Sequence, residues 1–373
     1  MHKNQKSGMN ISKEKVLEAL STVEDPDLKK DLVTLGMIQG LEIISDQKIS
    51  FKVVLTTPAC PLKELIRINC EEAIKKAFGG KVEADILMTS NVTTVRNDAP
   101  LLPNVKNIIA IASGKGGVGK STCSSNLAVA LAKLGAKVGL IDADISGPSV
   151  PTMFNVEGEQ PAIKQVNGKN IIVPIEQYGV KLMSIGFLTP AEDAVVWRGP
   201  MASSALKQFI GDVEWGELDY LLIDLPPGTS DIHLTMVQTL PVTGAVIVTT
   251  PQKVALADAT KALTMFKQPQ INVPILGVVE NMAYFTPDEL PDNKYYIFGQ
   301  GGGRKLSEKY DVTYLGEIPL VQGIRESGDS GYPAVLKEGV MAKAFSDFAE
   351  GVARQVAIRN AASSKTEVVQ VKV

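Results

Sequence analysis

The stretch IIAIASGKGGVGKST, residues 108–122, decides the fold. Its apolar start suits a buried strand, its four glycines between Gly114 and Gly119 suit a turn, and a helix is predicted to begin near Lys120. From Gly114 to Ser121 the spacing is GxxxxGK followed by Ser or Thr, in the strand–loop–helix context that a phosphate-binding loop requires. Backbone N–H groups must turn inward around phosphate oxygens there. Gly114, Lys115, Gly116, Gly117, Val118 and Gly119 are therefore expected to form the cradle. The helix N-terminus, at Lys120 to Thr122, adds partial positive charge. Lys120 supplies a point charge to the β- and γ-phosphates, and the Ser121 hydroxyl is a candidate Mg²⁺ ligand. These residues imply a bound nucleotide.

The rhythm of this strand repeats outward from it. KVGLIDAD, VKLMSIGF, YLLIDLPP, AVIVTTP, ILGVVENM and TYLGEIP are short apolar runs alternating with helical stretches. Such strands, joined by crossovers, predict an α/β fold: a doubly wound, mostly parallel sheet covered on both faces. Two of its strand ends carry acids, and ligand sites form at such ends. Asp224, before the Pro-Pro-Gly turn, suits holding a Mg²⁺ water. Asp144 suits orienting an attacking water, and Asp142 shaping the surroundings of the metal. Gly228 would let a backbone N–H approach the γ-phosphate. Capping of the following turn explains one such acid, and hardly all three.

The first ninety-five residues read differently, as a small α+β unit. SKEKVLEALST (12–22) has an amphipathic helix pattern with Ser12 as N-cap, and DPDLKKDLVTLGMIQ (25–39) is turn-rich. QKISFKVVLTT (47–57) and VEADILMTSNVTTV (82–95) read as strands, with a helix from Pro61 to about Phe78 between them. The expected division is 1–95 for this unit, 96–105 for a linker, 106–360 for the nucleotide unit, with a helix around 340–358, and 361–373 for a loose tail.

Composition bounds the rest. At about 150 residues per domain, 373 residues suggest two. A net charge of −3 offers no chain-wide attraction to nucleic acid or anionic lipid, so neither is an expected partner. No apolar run approaches the roughly 18 residues of a membrane span. MHKNQKSGMN has no apolar segment of a secretory signal, so a reducing compartment, the cytoplasm, is expected. Three cysteines and two histidines exclude a disulfide framework and a local zinc cluster.

Lys115, early in GKGGVGKST, resembles the signature of the deviant P-loop ATPases that include ParA, MinD and the nitrogenase iron protein. That resemblance implies an ATP-sandwich homodimer in which Lys115 reaches the facing copy's nucleotide. It also implies adenine held by Asn281, with Gln252 and the backbone after Pro319 walling it. DADISGPSVP, WRGPM (197–201), IDLPPGTSD and VENMAYF with IFGQGGG narrow the likeness to the Mrp/ApbC family of iron–sulfur cluster carrier ATPases. DPDL, LVTLGMI and TTPACPL in the first unit resemble the SufT-like domain that often precedes this ATPase. The resemblance implies a slow, switch-type ATP hydrolase using ATP and Mg²⁺, with iron–sulfur scaffolds and apo-proteins as partners.

In one respect the chain departs from that family. NMAYFTPDELPDNKYYIFGQGGG (281–303) lacks the Cys-x-x-Cys pair that the family usually carries there. Thiolates are the normal cluster ligands, and Asp288, Glu289 and Asp292 are harder oxygen donors. Cys60, before Pro61, reads either as a reactive thiol at a helix start and an iron–sulfur ligand, or as a small N-cap residue. Cys70 falls on the apolar face of its helix, and Cys123 and His233 read as structural. Alternatives stay open: a ParA- or MinD-like spatial organiser, a small-molecule kinase or ligase, or an ATPase that assists assembly without holding a cluster.

Overall fold

The computed structural model describes residues 11–96, 101–144, 147–188, 199–229, 231–287, 289–290 and 292–362. The chain forms two compact units that divide between Thr93 and Thr94. In the first, α1 (Lys13–Leu20) starts where Ser12 Oγ accepts the Lys15 N–H at 3.3 Å. Two short strands follow, β1 (Glu24–Asp25) and β2 (Lys30–Asp31), then β3 (Ile38–Ser45), β4 (Lys48–Leu55), α2 (Lys63–Ala77) and β5 (Glu83–Ser90). Strands β3, β4 and β5 form one sheet, β4 pairing antiparallel with β3 and parallel with β5. Val16, Leu20, Ile49, Phe51, Ile66, Cys70 and Ile74 form its core, all with at most 1% exposure.

Two expectations for this unit need correction. Strand β3 was not foreseen, because its residues are mostly exposed and lack an alternating apolar pattern. Helix α2 begins at Lys63 rather than Pro61, after a turn in which Lys63 N–H reaches Cys60 O at 3.4 Å. Cys60 therefore precedes the helix instead of capping it.

The second unit contains β6 (Val105–Ala112), α3 (Lys120–Lys133), β7 (Val138–Asp142) and α4 (Val150–Met153). A hairpin, β8 (Ile163–Val166) and β9 (Lys169–Ile172), precedes β10 (Ile175–Gln177) and β11 (Val180–Ser184). Then come α5 (Gly199–Gly211), β12 (Leu218–Asp224), α6 (Asp231–Thr239), β13 (Gly244–Thr249), α7 (Lys253–Lys267) and β14 (Ile275–Glu280). The unit ends with α8 (Gly302–Tyr310), β15 (Tyr314–Glu317), α9 (Gln322–Asp329) and α10 (Val340–Ala362). The eight-stranded sheet runs β10-β11-β7-β12-β6-β13-β14-β15, with the strand of the glycine-rich loop near its middle. Every pairing in it is parallel except β10 with β11. All seven apolar runs are strands of this sheet, because helices cover both faces and leave no polar side to alternate.

Antiparallel β10 and the β8–β9 hairpin were not foreseen; both are short, and the hairpin is largely exposed. Helix α10 runs to Ala362, past the expected start of the tail, because Val352, Val356 and Asn360 remain buried along it. Asn360 Nδ2 donates to Asn107 Oδ1 at 3.0 Å, pinning the helix end to the start of β6. Within the expected linker, the Arg96 guanidinium donates to the carbonyls of Leu101, Leu102 and Val105. Residues 363–373, like Trp197 and Arg198 of WRGPM, lie outside the described residues.

Candidate nucleotide site

The loop from Ser113 to Gly119 leaves β6 and enters α3 with Gly117 at φ +81° and Gly119 at φ +78°, backbone that only glycine adopts without strain. Gly114 has a different reason. A Cβ there would stand 1.9 Å from the Asp258 carbonyl carbon and 2.4 Å from Ala259 N, so the loop lies directly on the backbone of α7. A Cβ at Gly116 would meet only Pro227 Cγ, at 3.8 Å. Val118 is buried, Lys115 is exposed, and the Ser113 hydroxyl donates to Lys115 O at 3.1 Å.

Lys120 meets two acids from neighbouring strand ends, Asp224 and Asp144. Asp142 and Asp224 are register partners at the ends of β7 and β12 and are fully buried. Lys120 Nζ donates to Asp224 Oδ1 at 2.8 Å and stands 3.9 Å from Asp144 Oδ2 and 3.3 Å from Ser121 Oγ. Asp224 Oδ2 is buried without a hydrogen-bond partner among the described residues. Asp142 accepts from the Val150 and Asp144 N–H groups at 3.2 Å and from the Ser184 hydroxyl at 3.0 Å. Burial, then the neighbouring Asp224 charge, push the Asp142 carboxyl up to about 7, with Lys120 opposing. The site holds more carboxylates than cations, which suits a divalent metal with hard oxygen ligands. Sequence reasoning missed Ser184, which is paired with Asp142 only through the sheet.

Gly228, at φ +84°, donates its N–H to Ser113 O at 2.9 Å. The group expected to meet a γ-phosphate thus holds the turn against the loop. Asn281 is buried, and its Nδ2 donates to Val118 O at 2.9 Å. Its amide abuts Gly119, where a Cβ would stand 2.2 Å away. Beside it opens a cavity of about 420 Å³, lined in part by Gly119, Thr122, Met153, Asn281, Met282 and Pro319, with Arg325 and Asp329 of α9 also at its wall. That volume is in the range of small-molecule sites. Gln252 does not line this cavity: it is the exposed N-cap position of α7, next to Pro251, against which Gly299 and Gly302 pack. The glycines of IFGQGGG have a structural use, since Gly303 N–H donates to the buried Glu280 carboxylate.

Cys60 and Cys70 belong to the first unit and Cys123 to the second. Cys60 is partly exposed in the first unit. Cys70 and Cys123 are fully buried, and burial raises both thiols to about 12, which disfavours the thiolate. Among the described residues no group of three or more His, Cys, Asp or Glu could hold a metal ion. Glu289 and Asp292 are exposed, and Asp288 lies outside the described residues. His233 is buried, its ring centroid 6.4 Å from that of Phe266. No described helix is long and apolar enough to cross a membrane.

Residues 104–354 match the family described as the NUBPL iron-transfer P-loop NTPase, and residues 13–86 match that of an iron–sulfur cluster assembly protein. The chain is 47% identical over 351 residues to the iron–sulfur cluster carrier protein of Synechocystis, covering 93% of this chain and 99% of that one. The protein of that name from Deinococcus radiodurans is 49% identical over 348 residues, covering 92% and 95%. A solved nucleotide-binding protein from Archaeoglobus fulgidus, in complex with ADP, is 40% identical with a TM-score of 0.56. The match covers 64% of this chain and 91% of that one.

Proposed function

Since the chain belongs to the NUBPL iron-transfer P-loop NTPase family, joined to an iron–sulfur cluster assembly domain, we propose that it is an ATP-hydrolysing, nucleotide-gated homodimer. In this reading it serves the delivery of iron–sulfur clusters to apo-proteins in the cytoplasm. The observation that carries the switch is Lys120, at the end of the glycine-rich loop, held by Asp224 at 2.8 Å with Asp144 at 3.9 Å. There the lysine offsets part of the acids' charge. When ATP enters, Lys120 turns to the β- and γ-phosphates, and the Gly114–Thr122 backbone N–H groups donate to their oxygens.

The residues fit Mg²⁺: the Ser121 hydroxyl and, through water, Asp224 would hold it, where it neutralises charge on the phosphate oxygens. Asp142 keeps this region ordered through Ser184 and Val150. Asp144 orients the attacking water, and Gly228 trades Ser113 O for the γ-phosphate, so that its loop moves when that phosphate leaves. Asn281 holds the base while bracing Val118, and Lys115, exposed at the loop, reaches the facing copy's nucleotide. Gln252 stands outside the base cavity and has no part in this scheme.

Asp144→Ala should retain ATP binding and closure while turnover falls on the order of a hundredfold, the usual scale for a positioned proton acceptor. Turnover and mass in solution with ATP are the measurements. Unchanged turnover would refute the hydrolytic assignment, and a mass that ignores ATP in both proteins would refute the gated dimer.

A second reading, an ATPase that assists transfer without itself holding the cluster, is favoured by the cysteine inventory. With Cys70 and Cys123 buried, each copy offers one accessible thiol, and a dimer two, where four thiolates are usual. Anaerobic reconstitution with iron and sulfide separates the readings. Stable uptake in wild type, lost in Cys60→Ser, makes Cys60 a ligand; no uptake in either leaves the chain as an assisting ATPase.

A further inference from the structure

Two thioethers line the base cavity, and the nucleotide scheme uses neither. Met153 ends α4, and Met282 follows Asn281; both are partly exposed. Met282 has φ +53°, a left-handed conformation that long side chains rarely adopt, so the fold holds it there against strain. Its methyl reaches the last glycine of the loop: a Cβ at Gly119 would stand 3.7 Å from Met282 Cε. The Ser125 hydroxyl, almost fully buried on α3, donates to Met153 Sδ at 3.5 Å.

We propose that Met153 and Met282 form a modification site, in which a peroxide converts the thioethers to sulfoxides and thereby closes the cavity to nucleotide. The inference rests on the reading of this cavity as the base site. The sulfur lone pair attacks one peroxide oxygen, the S–O bond forms and the O–O bond breaks. Sulfur loses two electrons, and the other oxygen leaves as water after taking the transferred proton. The product is polar, chiral and one oxygen larger, placed where the base needs a flat apolar contact. At Met153 the new oxygen has a donor waiting in the Ser125 hydroxyl, which favours the oxidised form. Met37, Met183 and Met236 are buried at 3% exposure or less and are shielded, whereas Met201, 46% exposed and outside the cavity, is a built-in control.

The test exposes the full nucleotide-free chain to hydrogen peroxide, removes it with catalase, and measures ADP affinity by calorimetry while peptide mass spectrometry locates the sulfoxides. Wild type should lose about tenfold or more in affinity, the scale of one misplaced group in an apolar pocket. ADP present during exposure should protect Met153 and Met282 and leave Met201 oxidised. In the Met153→Leu/Met282→Leu double variant, the ratio of treated to untreated affinity should be near unity, whatever the starting affinity. An unchanged wild-type affinity with both sulfoxides formed would overturn the proposal. The same fold-loss in the double variant, or oxidation of Met201 with neither cavity methionine touched, would overturn it equally. ADP affinity absent before any peroxide would fall on the nucleotide reading itself and take the inference with it.

Discussion

Lys120→Ala is expected to abolish nucleotide binding and to lower the stability of the nucleotide-free protein by about 3–5 kcal/mol, the cost of stripping the partner from a buried charge. The lysine is 6% exposed and its Asp224 partner fully buried, so solvent cannot replace the lost ammonium. The deficit should depend on pH with a definite sign. The Asp142 carboxyl is raised to about 7 by burial and by Asp224, and Lys120 opposes that rise. A group whose folded-state value is raised contributes stability that is present below its unfolded value, near 4, and lost as pH climbs through the folded one. Without Lys120 the Asp142 carboxyl is pushed further up. The variant should therefore come closest to wild type near pH 5 and fall furthest behind at pH 8. Thermal melts at the two pH values check this, and equal deficits would mean that Lys120 is not the counter-charge of the acid cluster. Calorimetric titration with ADP checks the first half, where retained affinity would remove Lys120 from the phosphate site.

Gly114→Ala should be the most damaging change in the glycine-rich loop, costing about 3 kcal/mol or more as an overpacking defect. The added Cβ would fall 2.0 Å from Asp258 O and 1.9 Å from its carbonyl carbon. Neither the loop nor the interior of α7 can give way as a flexible side chain would. Gly116→Ala is the matched control, since its Cβ meets nothing nearer than Pro227 Cγ at 3.8 Å and its φ is not positive. It should stay within about 0.5 kcal/mol of wild type in stability, as open positions do. A melting temperature equally lowered in both variants would show that the damage comes from the loop's conformation and not from α7.

The resemblance to the iron–sulfur carrier ATPases, first carried by DADISGPSVP and IDLPPGTSD, agrees with the family matched by residues 104–354. The parallel sheet was legible because buried parallel strands are written as unbroken apolar runs. Strand β3 and the β8–β9 hairpin were not, because exposed strands carry no such mark. Helix α2 starts two residues later than its proline suggested, and that is enough to take Cys60 off the helix end.

The order of residues along the chain already determined the loop, its lysine and the acids at neighbouring strand ends, because backbone spacing alone decides whether phosphate can be cradled. It also determined that no Cys-x-x-Cys pair follows Asn281. Only the tertiary structure decided which acid meets Lys120, that Gly114 serves α7, that Ser184 holds Asp142, and that Gln252 stands outside the cavity beside Asn281. Each of these joins residues distant in sequence through strand register or helix packing. Such contacts follow from how the burial of all the apolar runs is satisfied at once, and no local pattern records them.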